Sequence, residues 1–264
     1  ARRFESLAMA ALGALQTLAF VVGGAWALPI ATLALLVWRL NAAGTTRRAA
    51  WLGWCYGTAW ICAGVWWLFI SMHRYGGLPS WLAALAVFAL AAFLSLYLAA
   101  ACALYQRLRS RRAGLDALCF AALWLLAELA RGLLLTGFPW VASGYSQVDA
   151  PLAGLAPWVG VYGIGAMLAF VAAVFGNLAE IMPGRRWFSS AALVLVVGGS
   201  AALGTLSYTQ ATGPMTVTLL QTNVAQDEKF AAERMPATLA WVAQALTTAQ
   251  ADLVVTPETA VPLL

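Results

Sequence analysis

Long apolar runs, separated by short basic or turn-rich breaks, set the pattern of this chain. Runs of the length that crosses a bilayer, about 20 residues, recur at 51–70, 81–105, 115–136, 158–181 and 188–208. Ahead of them lie two shorter runs, 7–23 and 27–40, broken by Gly23 and Gly24 and followed by Pro29 early in the second. A single helix over both would be about 50 Å long at ~1.5 Å per residue, too long for one crossing. Two short spans are therefore expected, seven in all. A cleavable secretory leader is the rival for this region, with Arg2 and Arg3 as its basic start and Ala25-Trp26-Ala27 as its cleavage site.

Beyond Tyr208 the period changes. MTVTLLQTN, at 215–223, is β-branched and apolar and reads as a buried strand. Between Pro236 and Gln250, the residues Leu239, Val242, Ala243 and Leu246 recur at helical spacing, with Pro236 in the first turn. DLVVT, at 252–256, reads as a second strand. Strand, helix and strand in that order predict a βαβ unit with its strands parallel. Such a unit, roughly fifty residues long, cannot cover both faces of a parallel pair. The expectation is a helical membrane bundle over 1–210 followed by the truncated start of an α/β domain over 211–264. Glu258 falls just past the second strand, at the carboxyl edge where open α/β sheets place ligands.

Composition agrees with a membrane protein. The chain is 63% hydrophobic and 9% charged, with a mean hydropathy of +0.82, whereas soluble domains carry about 25% charged residues. Its 13 tryptophans suit the headgroup interface. The net charge of +5 comes without a basic face or a nucleic-acid motif, so the lipid bilayer and not nucleic acid is the expected partner. Seven spans would put Arg2, Arg3, Arg39, Arg47, Arg48, Arg107, Arg109, Arg111, Arg112, Arg185 and Arg186 on one side, with only Arg74 in the opposite loops 71–80 and 137–157. The positive-inside rule makes the arginine side, with the N-terminus, cytoplasmic. The chain beyond Tyr208 then emerges on the other face.

Two charges interrupt the run LLAELARGLLLTGFPW. Glu128 or Arg131 alone at a helix centre would cost about 2.5–3.5 kcal/mol. Their i, i+3 spacing puts them on one helix face, which predicts a structural ion pair; direct catalysis is the alternative. The outer loop 136–157 is rich in Gly, Pro and aromatics and should form turns. Phe138, Trp140 and Tyr145 would then sit at headgroup depth, as an interfacial belt or as the lining of a lipid entrance. Cys55, Cys62, Cys102 and Cys119 all lie inside apolar runs, without ligand spacing, so no metal site is expected.

ISMHRYGGLP, TGFPW…GYSQ, PLAGLAPWVGVYG, LLQTNVAQDEKF and DLVVTPETAVP, in this order, resemble the apolipoprotein N-acyltransferases, bacterial inner-membrane enzymes that complete lipoprotein maturation. The resemblance implies a nitrilase-like αββα periplasmic domain with a Glu-Lys-Cys triad and no cofactor. It also implies a reaction: a cysteine thiolate takes an acyl group from a phospholipid, and the thioester passes it to the α-amine of a diacylglyceryl-cysteine. Glu258 matches the general base. Trp140 matches an aromatic near the lipid entrance, and with Phe138, Tyr145 and Phe230 makes the expected substrate-binding set. Lys229-Phe230 departs from the Lys-Trp pair common in the family. The only lysine, Lys229, precedes the helix, and every cysteine lies in a span. On this resemblance the chain is expected to lack the triad's Lys and Cys and to be inactive alone. A membrane-anchored nitrilase-type amidase, a transporter, or a fusion with a polyprenol-sugar synthase are the alternatives.

Overall fold

The structure, a computed structural model, describes residues 2–178, 186–225, 228, 231 and 233–258. Two compact units divide the chain, Ala1–Leu206 and Ser207–Leu264.

The first unit is helical: α1 Arg2–Gln16, α2 Ala27–Asn41, α3 Thr46–Gly64, α4 Trp67–Ile70, α5 Ser80–Leu108, α6 Ala113–Leu133, α7 Ala156–Gly176 and α8 Arg186–Leu203. Helix α3 packs between α1 and α5, α6 lies on α5 and α7, and α2 lies on α7. Small residues set the closest of these approaches. A Cβ added at Gly57 would stand 2.8 Å from Leu98 Cδ1 and 3.0 Å from Ser95 Oγ, so glycine lets α3 lie tight on α5. Leu36, Tyr56, Trp60, Tyr105, Trp124 and Leu168, each at most 1% exposed, centre the core.

Among the described residues three helical segments are long and apolar enough to cross a membrane: Ser80–Leu108, Ala113–Thr136 and Pro151–Gly176. A fourth arises if α3 and the Trp67–Tyr75 segment, bent by 53° at Val65 and Trp66, count as one. Helix α2, with 15 residues, is about 22 Å long at ~1.5 Å per residue, short of a hydrocarbon core of about 30 Å. The run expected at 7–23 gives a helix only to Gln16, followed by a 3-10 turn over Thr17–Phe20. Gln16 is fully buried there. Its Oε1 accepts from Thr32 Oγ1 at 3.3 Å and from Tyr56 Oη, which joins α1, α2 and α3 by side chains.

Polar contacts also tie the helix ends where most of the arginines cluster. Arg39 and Arg48 both pair with Glu5. Asn41 Nδ2 donates to Asn177 Oδ1 at 2.7 Å, Tyr105 Oη to Asn41 Oδ1 at 2.9 Å, and Arg109 Nη1 to the Asn41 carbonyl at 2.8 Å. Asp116 accepts the Ser110 N–H at 2.6 Å just before α6. Arginines placed by sequence as topology signals therefore also close the bundle. Arg185 lies outside the described residues.

The second unit contains β1 Val217–Leu219, α9 Met235–Thr248 and β2 Leu253–Val255. The strands are parallel, in the register Val217↔Leu253, Thr218↔Val254 and Leu219↔Val255. The strand expected over 215–223 shrinks to three residues because its partner is equally short. At one end Asp252 Oδ2 accepts from the N–H and the hydroxyl of Thr216, each at 2.8 Å. At the other, Pro257 has no N–H to donate to a ladder. Val217, Leu219, Leu253 and Val255 are 41–74% exposed, although parallel strands ordinarily have cover on both faces.

Candidate functional site

In the first unit the chemistry concentrates where α6 ends beneath the aromatic loop. Glu128 and Arg131 are 1% and 2% exposed, and Arg131 Nη2 stands 3.4 Å from Glu128 Oε1. A buried pair of this kind persists only when further hydrogen bonds engage the remaining donors and lone pairs, and here they do. Glu128 Oε1 accepts the Ser143 N–H at 2.7 Å, and Oε2 accepts the Ser143 hydroxyl at 2.9 Å. Arg131 Nη1 donates to the Trp140 carbonyl at 2.7 Å, and its guanidinium lies 5.6 Å from the centre of the Trp60 ring. Trp60 stacks on Trp124 at 5.8 Å, and Trp124 Nε1 donates to Ser143 Oγ at 3.1 Å. The carboxylate accepts three bonds and the guanidinium is spread between a carboxylate and a carbonyl. Both are tied to the loop, Glu128 through Ser143 and Arg131 through the Trp140 carbonyl.

The loop they hold is tightly wound. Leu135, Thr136, Gly137 and Val141 all adopt positive φ, between 53° and 79°. For β-branched Thr136 and Val141 that region is costly and persists only where neighbours enforce it. The enforcing contacts are the Trp140 carbonyl on Arg131 and the Arg131 carbonyl, which accepts the Phe138 N–H at 2.7 Å. A 3-10 turn over Ser143–Gln147 follows, where Ser146 Oγ donates to the Ser143 carbonyl at 2.7 Å and Gln147 Nε2 to the Trp26 carbonyl at 2.9 Å. The result presents Trp140 and Tyr145 outward, 49% and 56% exposed. Trp140 stands between Phe138 at 5.5 Å and Trp67 at 6.1 Å, ring centre to ring centre. Phe138 is half-buried against the cluster built on Ile61, Val65 and Leu94.

Three partners in this arrangement are not among the residues that the sequence singles out. Ser143 is one of many serines, and only the loop's return over α6 brings it to Glu128. Trp67 is one of 13 tryptophans; the bend after Gly64 aims it at Trp140. Gly165 on α7 lies against the pair, and a Cβ there would stand 2.6 Å from both Glu128 Oε2 and Ser143 Oγ. A small residue facing a buried charge is the one feature that a helix-face reading could have picked out.

In the second unit, Glu258 follows β2 by three residues and is exposed. It stands at the carboxyl end of the parallel pair, the edge at which such sheets bind ligands. Lys229 and Phe230 lie outside the described residues. Among the described residues no group of three or more His, Cys, Asp and Glu side chains is placed to hold a metal ion. The four cysteines are free thiols within α3, α5 and α6.

Comparison with known proteins bears on both units. The family described as "Apolipoprotein N-acyltransferase N-terminal domain" matches residues 12–174, which include the Glu128–Arg131 clasp and its loop. Apolipoprotein N-acyltransferase of Ralstonia nicotianae is 44% identical over 268 residues, covering 99% of this chain and 50% of its own length. The protein of the same name from Verminephrobacter eiseniae is 47% identical over 279 residues, covering 97% of this chain and 51% of its own length. That from Pseudomonas putida is 42% identical over 264 residues, covering 98% and 52%. The chain spans about half the length of the curated relatives it matches.

Proposed function

The chain belongs to the apolipoprotein N-acyltransferase family, and on that premise we propose that the protein, at the length of its relatives, moves an acyl chain from a phospholipid to the N-terminal α-amine of a diacylglyceryl apolipoprotein. The observation that carries the reading is Glu258 at the carboxyl end of the parallel β1–β2 pair, within a match that runs through 97–99% of the chain. Glu258 is the general base. A cysteine thiolate attacks the ester carbonyl of the donor, the C–O bond breaks, and a thioester and a lysophospholipid result. The proton removed from the thiol goes to the departing alkoxide. The acceptor amine then attacks the thioester, loses a proton to the carboxylate, and regenerates the thiol as the amide forms.

The required lysine and cysteine are not among the residues that precede Glu258 in a suitable setting. Lys229 is the only lysine, and the four cysteines sit in the helices of the first unit. The 264-residue chain by itself is therefore proposed to be inactive. The uncovered apolar faces of β1 and β2 suit a larger nitrilase-like αββα domain. Exposed Trp140 and Tyr145, with Phe138 behind them, suit the entrance for a lipid; Phe230 is proposed as a further substrate contact. The Glu128–Arg131 pair positions that entrance and takes no part in the chemistry. The uneven distribution of arginine supports seven spans in a bacterial inner membrane, with the N-terminus cytoplasmic and the second unit periplasmic.

The test is mass spectrometry of a lipoprotein N-terminus in cells that depend on the full-length protein carrying Glu258→Gln. Loss of the N-linked acyl chain is expected. A fully triacylated N-terminus would remove Glu258 from the mechanism.

A further inference from the structure

A cavity of the first unit lies at the arginine-bearing end, away from the aromatic loop. It is an open groove of about 940 Å³ lined by residues of α1, the α2–α3 turn, α3 and α5. Its α3 wall is a stripe of Arg47, Trp51 and Trp54, spaced i, i+4, i+7 and so aligned on one helix face. Leu96 and Ala99 of α5 form the opposite wall. The polar end and the apolar depth are thus on one line, running about 10 Å down the helix at ~1.5 Å per residue.

The charges at the mouth decide what fits. Glu5, Arg47 and Arg48 line it. Both Glu5 oxygens are engaged, one by Arg39 and one by Arg48, so this group of three arginines and one carboxylate keeps an excess of positive charge. Arg47 is exposed and, among the described residues, is paired with no carboxylate. The first turn of the 19-residue helix α3, capped by Thr45 Oγ1 accepting the Arg48 N–H at 3.3 Å, adds its positive end to the same spot. The tryptophans are held for a flat apolar contact: Trp51 Nε1 donates to Ser6 Oγ at 2.9 Å, Trp54 Nε1 to the Ala92 carbonyl at 2.9 Å, and the rings stack at 5.1 Å. An anion whose body continues into an apolar tail meets both ends of this groove.

We propose that the groove is a binding site for an anionic membrane glycerophospholipid. Its phosphate pairs with Arg47 at the mouth, and one acyl chain lies between the Trp51–Trp54 stack and the Leu96–Ala99 wall. The proposal rests on insertion of the bundle in a bilayer and not on the acyl-transfer reading. It adds a lipid site at the end of α3 opposite Trp140, one that holds its lipid without consuming it.

Native mass spectrometry of the 264-residue chain released from detergent micelles, titrated with phosphatidylglycerol or with phosphatidylcholine, tests this directly. Wild type should retain one phosphatidylglycerol in preference to phosphatidylcholine. Arg47→Gln should weaken that retention about fivefold, the contribution of one arginine near a membrane surface. Ala99→Trp should fill the apolar wall and abolish retention, with the melting temperature reporting that each variant is folded. Equal retention of the two lipids by wild type would overturn the proposal. So would unchanged retention in Arg47→Gln, or displacement of the lipid by an equal concentration of inorganic phosphate. Should Ala99→Trp fail to fold, Leu96→Ala takes its place: it leaves the phosphate contact intact, and undiminished retention would exclude the acyl-chain wall.

Discussion

Two glutamates occupy opposite physical situations in this chain. Glu128 is 1% exposed and accepts from an arginine, a backbone N–H and a hydroxyl. Glu258 lies exposed at the end of a short parallel strand pair. A carboxylate that accepts three bonds inside a helical bundle is a fastener, because freeing it would strand an opposite charge in an apolar core. A carboxylate at the carboxyl edge of a parallel sheet is accessible to a second molecule and can exchange its proton with one. On the proposed reading, charge in an apolar stretch, the more conspicuous signal in a sequence, marks architecture here. The candidate for chemistry is the plainer residue between two prolines.

The sharpest way to break this comparison is Arg131→Ala. It leaves Glu128 buried without its counter-charge, and a loss of about 3–5 kcal/mol is expected. The loop 137–147 should become cleavable by added protease in detergent at temperatures where wild type resists. A variant with wild-type melting and wild-type resistance would show that the pair does not hold the loop. Next in size is Gly165→Ala, whose methyl would stand 2.6 Å from Glu128 Oε2 and from Ser143 Oγ. Overpacking of this kind costs about 1–3 kcal/mol, read as a lowered melting temperature. No change would mean that α7 yields freely at this point.

Glu258→Gln should do the reverse in every respect. Exposed as it is, it should shift stability by no more than about 0.5 kcal/mol, while activity of the full-length protein falls by a factor of about 10²–10⁴, the usual contribution of a general base. A stability loss as large as that of Arg131→Ala would make Glu258 a second fastener. The smallest effect concerns Asp252. The hydrogen bonds from the Thr216 N–H, then from the Thr216 hydroxyl, hold its carboxyl below the ordinary value of 3.8. A depressed carboxylate stabilises the folded form fully above its unfolded pKa, and that contribution is lost as pH falls through the lower folded value. Amide exchange at Leu220, whose N–H donates to the Val255 carbonyl at 2.9 Å, should therefore speed up, beyond its intrinsic pH dependence, once the pH drops below about 4. Asp252→Asn should remove that dependence.

Periodicity located the long helices well, since a helix in lipid must satisfy its own backbone and carry an unbroken apolar run. Helices α5 and α6 begin and end within three residues of the apolar runs at 81–105 and 115–136. Where the runs were short, periodicity said less. The bend between Gly64 and Trp67 has no proline to announce it, and the burial of Gln16 depends on Thr32 and Tyr56 from two other helices. In the second unit the order strand, helix, strand was legible, while the length of β1 was not, because a strand extends only as far as its partner pairs with it.

The same division runs through the candidate site. Residue types and spacing by themselves determined that the chain carries helices long and apolar enough to cross a bilayer, that Glu128 and Arg131 share a helix face, and that Glu258 follows an apolar strand. These are local properties, set by hydropathy and by the 3.6- and 2-residue periods of helix and strand. Only the tertiary structure decided that Ser143 and the Trp140 carbonyl complete the buried ion pair, that Gly165 makes room for it, and that Arg47, Trp51 and Trp54 face a groove instead of a neighbouring helix. Each of those contacts joins positions far apart in the chain, and their pairing is settled by how the helices pack.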